Sequence, residues 1–197
     1  MVNARGWART RAAMKFEIEE TLHGPKRVAE MTSLAMDGQR NWRHRGHLGP
    51  SDGTRGKMRT RSVAALAVRA WASSLGFPPR ESEQLGQATA ASVLYAAIIN
   101  SPSTLKVEGT RSAVADFFAQ YSEHDHIARG VSGLGDTQQV ISITWADNGP
   151  PELNKNVPGA NELDEVIAMR QLNLIALGDW VADQADHPLF LIKALDA

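Results

Sequence analysis

The sequence predicts an α/β (α+β) fold, a two-layer sandwich of helices on a mixed, mostly antiparallel sheet. Three observations lead there. Short stretches alternate apolar and polar residues, FEIEE from Phe16, ISITWA from Ile141 and LFLIKAL from Leu189, with the period of strands that bury one face. Longer stretches between them repeat apolar residues at the spacing of amphipathic helices. The two kinds of element are interleaved, and the last strand is expected to return beside the 141–146 strand, which mixes the pairing.

Taken in order, residues 1–14 form a basic N-terminal tail, and a single domain is expected over 15–197. Its first strand covers 15–22. Gly24-Pro25 then opens a helix over 26–36, with Val28, Met31, Leu34 and Ala35 at helical spacing. Residues 37–57 contain five glycines, a proline and no periodicity, so a basic loop insertion is expected at about 37–60. Val63, Leu66, Ala67, Ala70, Trp71 and Leu75 mark a helix that Gly76 closes. Prolines and an acidic first turn open the next helix, 78–100, which is apolar almost all round from Ala88 to Ile99 and is therefore expected at the centre of the core. A short strand is expected in TLKVEG, 104–109. A second insertion, at about 109–138, begins as a helix with Val114, Phe117, Phe118 and Tyr121 on one side and ends in the glycine-punctuated VSGLGDTQQ. After the 140–146 strand, a loop is expected over 152–159, one helix over 161–181 and a last strand over 189–195.

At 197 residues, 43% of them hydrophobic, the chain is long enough to bury a sizeable core. No apolar run reaches membrane-spanning length and none has the pattern of a secretory leader, so a cytoplasmic protein without membrane contact is expected. The absence of cysteine excludes disulfides and thiolate chemistry. The net charge of −1 hides an asymmetry: residues 1–61 carry +7 and residues 62–197 carry −8. Such a split suits an acidic partner or nucleic acid, and equally a solubilising basic arm.

One segment combines a strand with a chemically suggestive end. In VISITWADNGPP, Ile141, Ile143 and Trp145 alternate with smaller residues, and the strand delivers Asp147, Asn148 and Gly149 to its tip. Asp, Asn, Gly and Pro are turn formers, and a strand has to stop. The alternative is a ligand: a carboxylate, followed two residues later by a residue without Cβ, can grip a flat heterocycle.

Four segments together resemble the histidine-kinase-like (GHKL) ATPase family, in particular its small bacterial branch of anti-sigma-factor serine kinases and related ATP-binding regulators. AVRAWASSLGFPPRESEQLGQATAASVLYAAI is similar to that branch's helix pair, ISITWADNGPP to its strand ending in Asp-x-Gly, LNLIALGDWVAD to its late helix, and HPLFLIKALDA to its terminal strand. The resemblance implies that Asp147 accepts the exocyclic amine of adenine and that Gly149 lets the backbone approach the ring, with ATP or ADP as cofactor. It also implies a protein partner, a sigma factor or an antagonist of an anti-sigma factor.

The departures weigh as much. The family's long helix carries Glu-x-x-x-Asn, a base and a magnesium ligand. The aligned positions hold Ser92 and Ala96; a slip of one turn recovers an amide at Asn100 but no carboxylate. An alanine methyl offers Mg²⁺ nothing, and Ser92 is no base unaided. The glycine box ahead of the late helix is also missing, with Ile167-Ala168-Met169 in its place. Asp147, Gly149 and Asn100 are thus the candidate nucleotide-binding residues, with no candidate catalytic or metal-ligating residue and no support for Mg²⁺. The expected role is regulatory, an eroded nucleotide site in a protein that works by protein–protein binding, its acidic body and basic arm being complementary faces for a partner or for a homodimer. Were it active, it would be a protein serine/threonine kinase.

Two other constellations carry chemistry. His124-Asp125-His126 suits a transition metal if that segment is extended, because residues two apart then share a face, and becomes a solvated helix end if it is helical. NWRHRGH combines Trp42 with Arg43, His44, Arg45 and His47, the ingredients of a nucleic-acid contact through the basic 40–61 segment. That is the alternative function.

Overall fold

The structure, a computed structural model, describes residues 16–48, 56–121, 123–134, 140–146, 152–154 and 166–195; for 140–146, 152–154 and 166–171 it describes the backbone. The chain begins with β1 (Phe16–Glu20), the two-residue β2 (Leu22–His23) and α1 (Pro25–Thr32), in which Pro25 sits in the first turn where no amide donor is needed. α2 (Met36–His44) and β3 (Met58–Arg59) follow, then the helical pair α3 (Thr60–Ser74) and α4 (Pro79–Asn100). β4 (Leu105–Glu108), α5 (Arg111–Gln120) and α6 (His124–Ser132) lead to β5 (Val140–Ala146), β6 (Glu152–Asn154) and β7 (Val166–Asn173). α7 (Leu174–Asp183) and β8 (Phe190–Ala194) complete it.

The architecture is mixed α/β with helices packed on sheet, as the periodicities indicate. β8 lies between β1, antiparallel to it, and β4, parallel to it. Phe190, Ile192 and Ala194 of β8 are buried on one face, where Phe16 stands opposite Ala194 and meets Phe117 of α5 edge-on at 5.8 Å. The other face carries Glu17, Glu19, Lys106 and Glu108 in solvent and the half-exposed Lys193, which donates to Glu19. Helices on one side and charges on the other make this a two-layer arrangement. β5 anchors a second, antiparallel sheet between β6 and β7.

α4 takes the centre, as an all-round apolar helix must. It packs against α3, α6 and α7, and Val93, Leu94, Ala97 and Ile98 are fully buried. Two glycines set how closely its neighbours approach. A Cβ at Gly86 would lie 2.4 Å from the Ala65 carbonyl oxygen, and one at Gly178 would lie 2.6 Å from the Val93 carbonyl oxygen. Neither contact tolerates a side chain.

Several expectations change. The 37–57 stretch is not simply loop: Met36–His44 is helical, because Gln39 is buried and donates to the Pro25 and Leu34 carbonyls at 3.1 and 3.0 Å, which ties the helix to α1. The 161–181 stretch is not one helix: Val166–Asn173 pairs with β5 and only Leu174–Asp183 is helical. Glu152–Asn154, expected as loop, pairs with β5 as β6. β8 does not return beside β5; it completes the sheet of β1 and β4. The 111–130 segment continues into a second helix, α6, which Gly133 ends at a positive φ of 71°. Among the described residues no helix is long and apolar enough to cross a membrane.

Candidate functional site

The nucleotide residues inferred from the resemblance are only partly within the described structure. Asp147 and Gly149 lie outside the described residues, as do Asn148 and Pro150. The strand that leads to them, β5, packs on α7, and α7 packs on α4. On α4, Ser92 and Ala96 are buried, and Ala96 faces Gly178: a Cβ on Gly178 would come within 2.7 Å of the Ala96 methyl. Asn100, one turn further, is exposed and donates from Nδ2 to Oδ1 of Asp179 at 2.7 Å. The Ser92, Ala96 and Asn100 stripe is therefore covered by α7 at Ala96 and engaged by an α7 carboxylate at Asn100.

The His124-Asp125-His126 cluster is helical, opening α6, so its two imidazoles diverge. Each residue has a local task. His124 Nε2 lies 2.9 Å from the Ile98 carbonyl near the end of α4, where helical carbonyls lack intrahelical donors. Asp125 accepts from the Tyr95 hydroxyl and, at 2.8 Å, from Arg129 Nε. Those two hydrogen bonds, the Tyr95 one first, hold the Asp125 carboxyl below its ordinary range, and the same Asp125 bond raises the Tyr95 phenol. His126 lies 3.5 Å from Glu123. This is a clamp between α6 and α4, and among the described residues no group of three or more His, Asp or Glu side chains converges as a metal site.

The basic segment divides into two parts. Arg40, Asn41 and His44 are exposed on α2 and Arg45 just beyond its end, whereas Trp42 turns inward and receives the Arg69 guanidinium over its ring at 5.0 Å. Trp42 is thus occupied by the protein itself rather than offered to a base. Beside it, between β3, the start of α3 and the first turns of α4, lies a cavity of about 350 Å³. Arg59, Arg61 and Arg69 line it together with apolar Leu48, Met58 and Leu66. Arg69 is 5% exposed, and its burial lowers the guanidinium from its ordinary value against the opposing charge of Glu83. Sequence reasoning missed this arginine, although a signal existed: Arg69 sits three residues from Leu66 and three from Ala72 on the buried stripe of α3, where an unpaired charge is costly.

A second concavity, about 370 Å³, lies where α1, α3 and α7 meet. Met31, Trp71, Leu177 and Trp180 line it, and Trp180 is 44% exposed. Below the α7 end, His23 is fully buried, stacks on His187 at 5.3 Å and approaches the Thr60 hydroxyl with Nε2 at 2.9 Å. Thr60 can donate onward to the Leu189 carbonyl at 2.9 Å, which leaves His23 Nε2–H as the donor to Thr60 and Nδ1 without a partner among the described residues. This chain of bonds ties β2 and α3 to the lead-in of β8.

No family model matches this chain, and neither a curated protein nor a solved structure matches it.

Proposed function

We propose that the chain is a regulatory protein of the histidine-kinase-like ATPase type that acts by binding another protein, its nucleotide site having lost the groups for phosphoryl chemistry. The observation that carries this reading is the contact between α4 and α7. Where a catalytic carboxylate and a magnesium ligand would be needed, Ser92 and Ala96 are buried and Gly178 packs on Ala96. Asn100 spends its amide on Asp179. The groove of Met31, Trp71, Leu177 and Trp180 supports the binding role, since half-exposed tryptophans around a concave apolar surface are what protein interfaces use as anchors. A sigma factor or an antagonist protein is the partner this reading favours; ATP or ADP would be a bound ligand rather than a substrate.

The test is a titration with a non-hydrolysable ATP analogue, with and without Mg²⁺, on the natural chain and on Asp147→Asn. The expected result is weak binding that Mg²⁺ does not strengthen and that Asp147→Asn abolishes, with no Mg²⁺-dependent phosphate release from ATP. Hydrolysis, or phosphate transfer to a protein serine, overturns the reading. The binding role is checked with a purified sigma factor, whose complex Trp180→Glu should weaken by about tenfold or more.

A second reading rests on α2 and the residue that follows it, which expose Arg40, Asn41, His44 and Arg45 to solvent. Were these phosphate contacts to nucleic acid, affinity would fall steeply with salt, by a log–log slope of roughly −0.9 per neutralised phosphate. Flat salt dependence removes it.

A further inference from the structure

We propose that the cavity beside α3 is a binding site for a small amphiphilic anion, an apolar or aromatic body carrying one phosphate or carboxylate. Its volume, about 350 Å³, falls in the range of small-molecule sites. Its wall divides chemically. Leu48, Met58, Ala65 and Leu66 supply an apolar lining, and Arg61 and Arg69 stand on the same side of α3, two turns apart.

The same lining holds Arg59, Arg61 and Arg69 against Glu20 and Glu83, so the wall carries more positive than negative groups. Glu20 engages Arg61 twice: Oε2 accepts the Arg61 backbone N–H at 2.9 Å, satisfying one of the unpaired amides that open α3, and Oε1 forms an ion pair with Arg61 Nε at 3.7 Å, longer than a hydrogen bond. Arg69 is held loosely. Its NH2 reaches the Pro79 carbonyl at 3.4 Å and Glu83 at 3.5 Å, and Nε has no partner among the described residues. A guanidinium that is 5% exposed has lost its water and here regains little from these long contacts. The Trp42 ring, 5.0 Å from the guanidinium, packs against it. A desolvated arginine with only long contacts at the edge of a partly apolar cavity favours a carboxylate or phosphate as an additional partner. Arg61, half-buried on the same wall, adds a second cation. This site is distinct from the strand tip on which the proposed nucleotide reading rests, and either can fail without the other.

The experiment is calorimetric titration of the full chain with phenyl phosphate and with benzoate, the two arms separating phosphate from carboxylate recognition, and with benzylamine as the cationic counterpart. The expected result is saturable binding of at least one anion and none of benzylamine. Arg61→Gln, at a half-exposed position, should weaken that binding about tenfold or more, and Gln87→Glu, which adds a carboxylate to the exposed rim on α4, should do the same. Arg40→Gln, exposed on α2 outside the cavity wall, should leave it unchanged. The proposal is overturned if neither anion binds saturably up to ~10 mM. It is also overturned if benzylamine binds equally well, if Arg61→Gln and Gln87→Glu leave affinity intact, or if Arg40→Gln weakens it as much as they do.

Discussion

His23 shows how a single side chain sets a property of the whole chain. Burial, reinforced by the nearby His187 and Arg27 and partly opposed by Asp186, holds its pKa near 4 against an ordinary 6.5. The unfolded chain therefore takes up this proton first as the pH falls. Stability should decline between pH 6.5 and about 4, by roughly 3 kcal/mol in total, with no further loss from this residue below that window. Urea midpoints measured across that range should show the slope in the natural chain and a flatter one in His23→Gln. Gly178 is the steric counterpart. Gly178→Ala forces a methyl to within 2.6 Å of the Val93 carbonyl and 2.7 Å of the Ala96 methyl, neither of which is a flexible chain end, and should cost about 1–3 kcal/mol. Gly130→Ala on α6 meets no atom within 4 Å and should instead stabilise by about 0.5–1 kcal/mol, so the pair separates close packing from helix propensity in one denaturation experiment.

At the level of elements, the junction of β7 and α7 depends on Asn173. Its side-chain oxygen accepts the N–H groups of Ile175 and Ala176 at 3.0 and 3.2 Å, closing the strand and opening the helix at one residue. Asn173→Ala should cost about 1 kcal/mol, read as a lower denaturant midpoint with an unchanged slope. The same junction explains why 161–181 reads as one helix in sequence. Val166, Ile167, Leu174 and Leu177 fall at helical spacing, yet seven residues of this stretch find a strand partner in β5, with Ile167 at the register shift, and hydrogen bonding to that partner outweighs the local pattern. α2 is the opposite case. Its residues are too polar to show an apolar stripe, and the helix forms because Gln39 bridges to α1 and Trp42 packs against Arg69.

For the molecule as a whole, α4 is the common support. It touches α3, α6 and α7, while α5 and α2 lie at the periphery with few buried side chains. Opening α4 requires dismantling its packing on α3, α6 and α7, the most extensive helix contacts, so its amides should exchange with the global unfolding free energy. Hydrogen–deuterium exchange should find residues 89–98 the slowest of the chain and those of α2 and α5 among the faster helical amides. Comparable protection in α5 and α4 would show that the core is not organised around this helix.

By itself the sequence determined the mixed α/β class, the strands at the two ends of the chain, and the α3–α4 pair with its apolar centre. Each of these is written in the periodicity or turn chemistry of one continuous stretch, such as Val63 to Gly76 or Ala88 to Ile99. It also marked Asn100, but not that Asp179 would engage it, because their meeting depends on how α7 crosses α4. The tertiary structure alone decided that β8 joins β1 and β4, that Val166–Asn173 is a strand, that His124 and Asp125 clamp two helices together, and that Arg69 borders a cavity. The physical reason is the same throughout. Strand neighbours, helix crossings and the partners of buried polar groups are relations between residues far apart in the chain, and no local period encodes them.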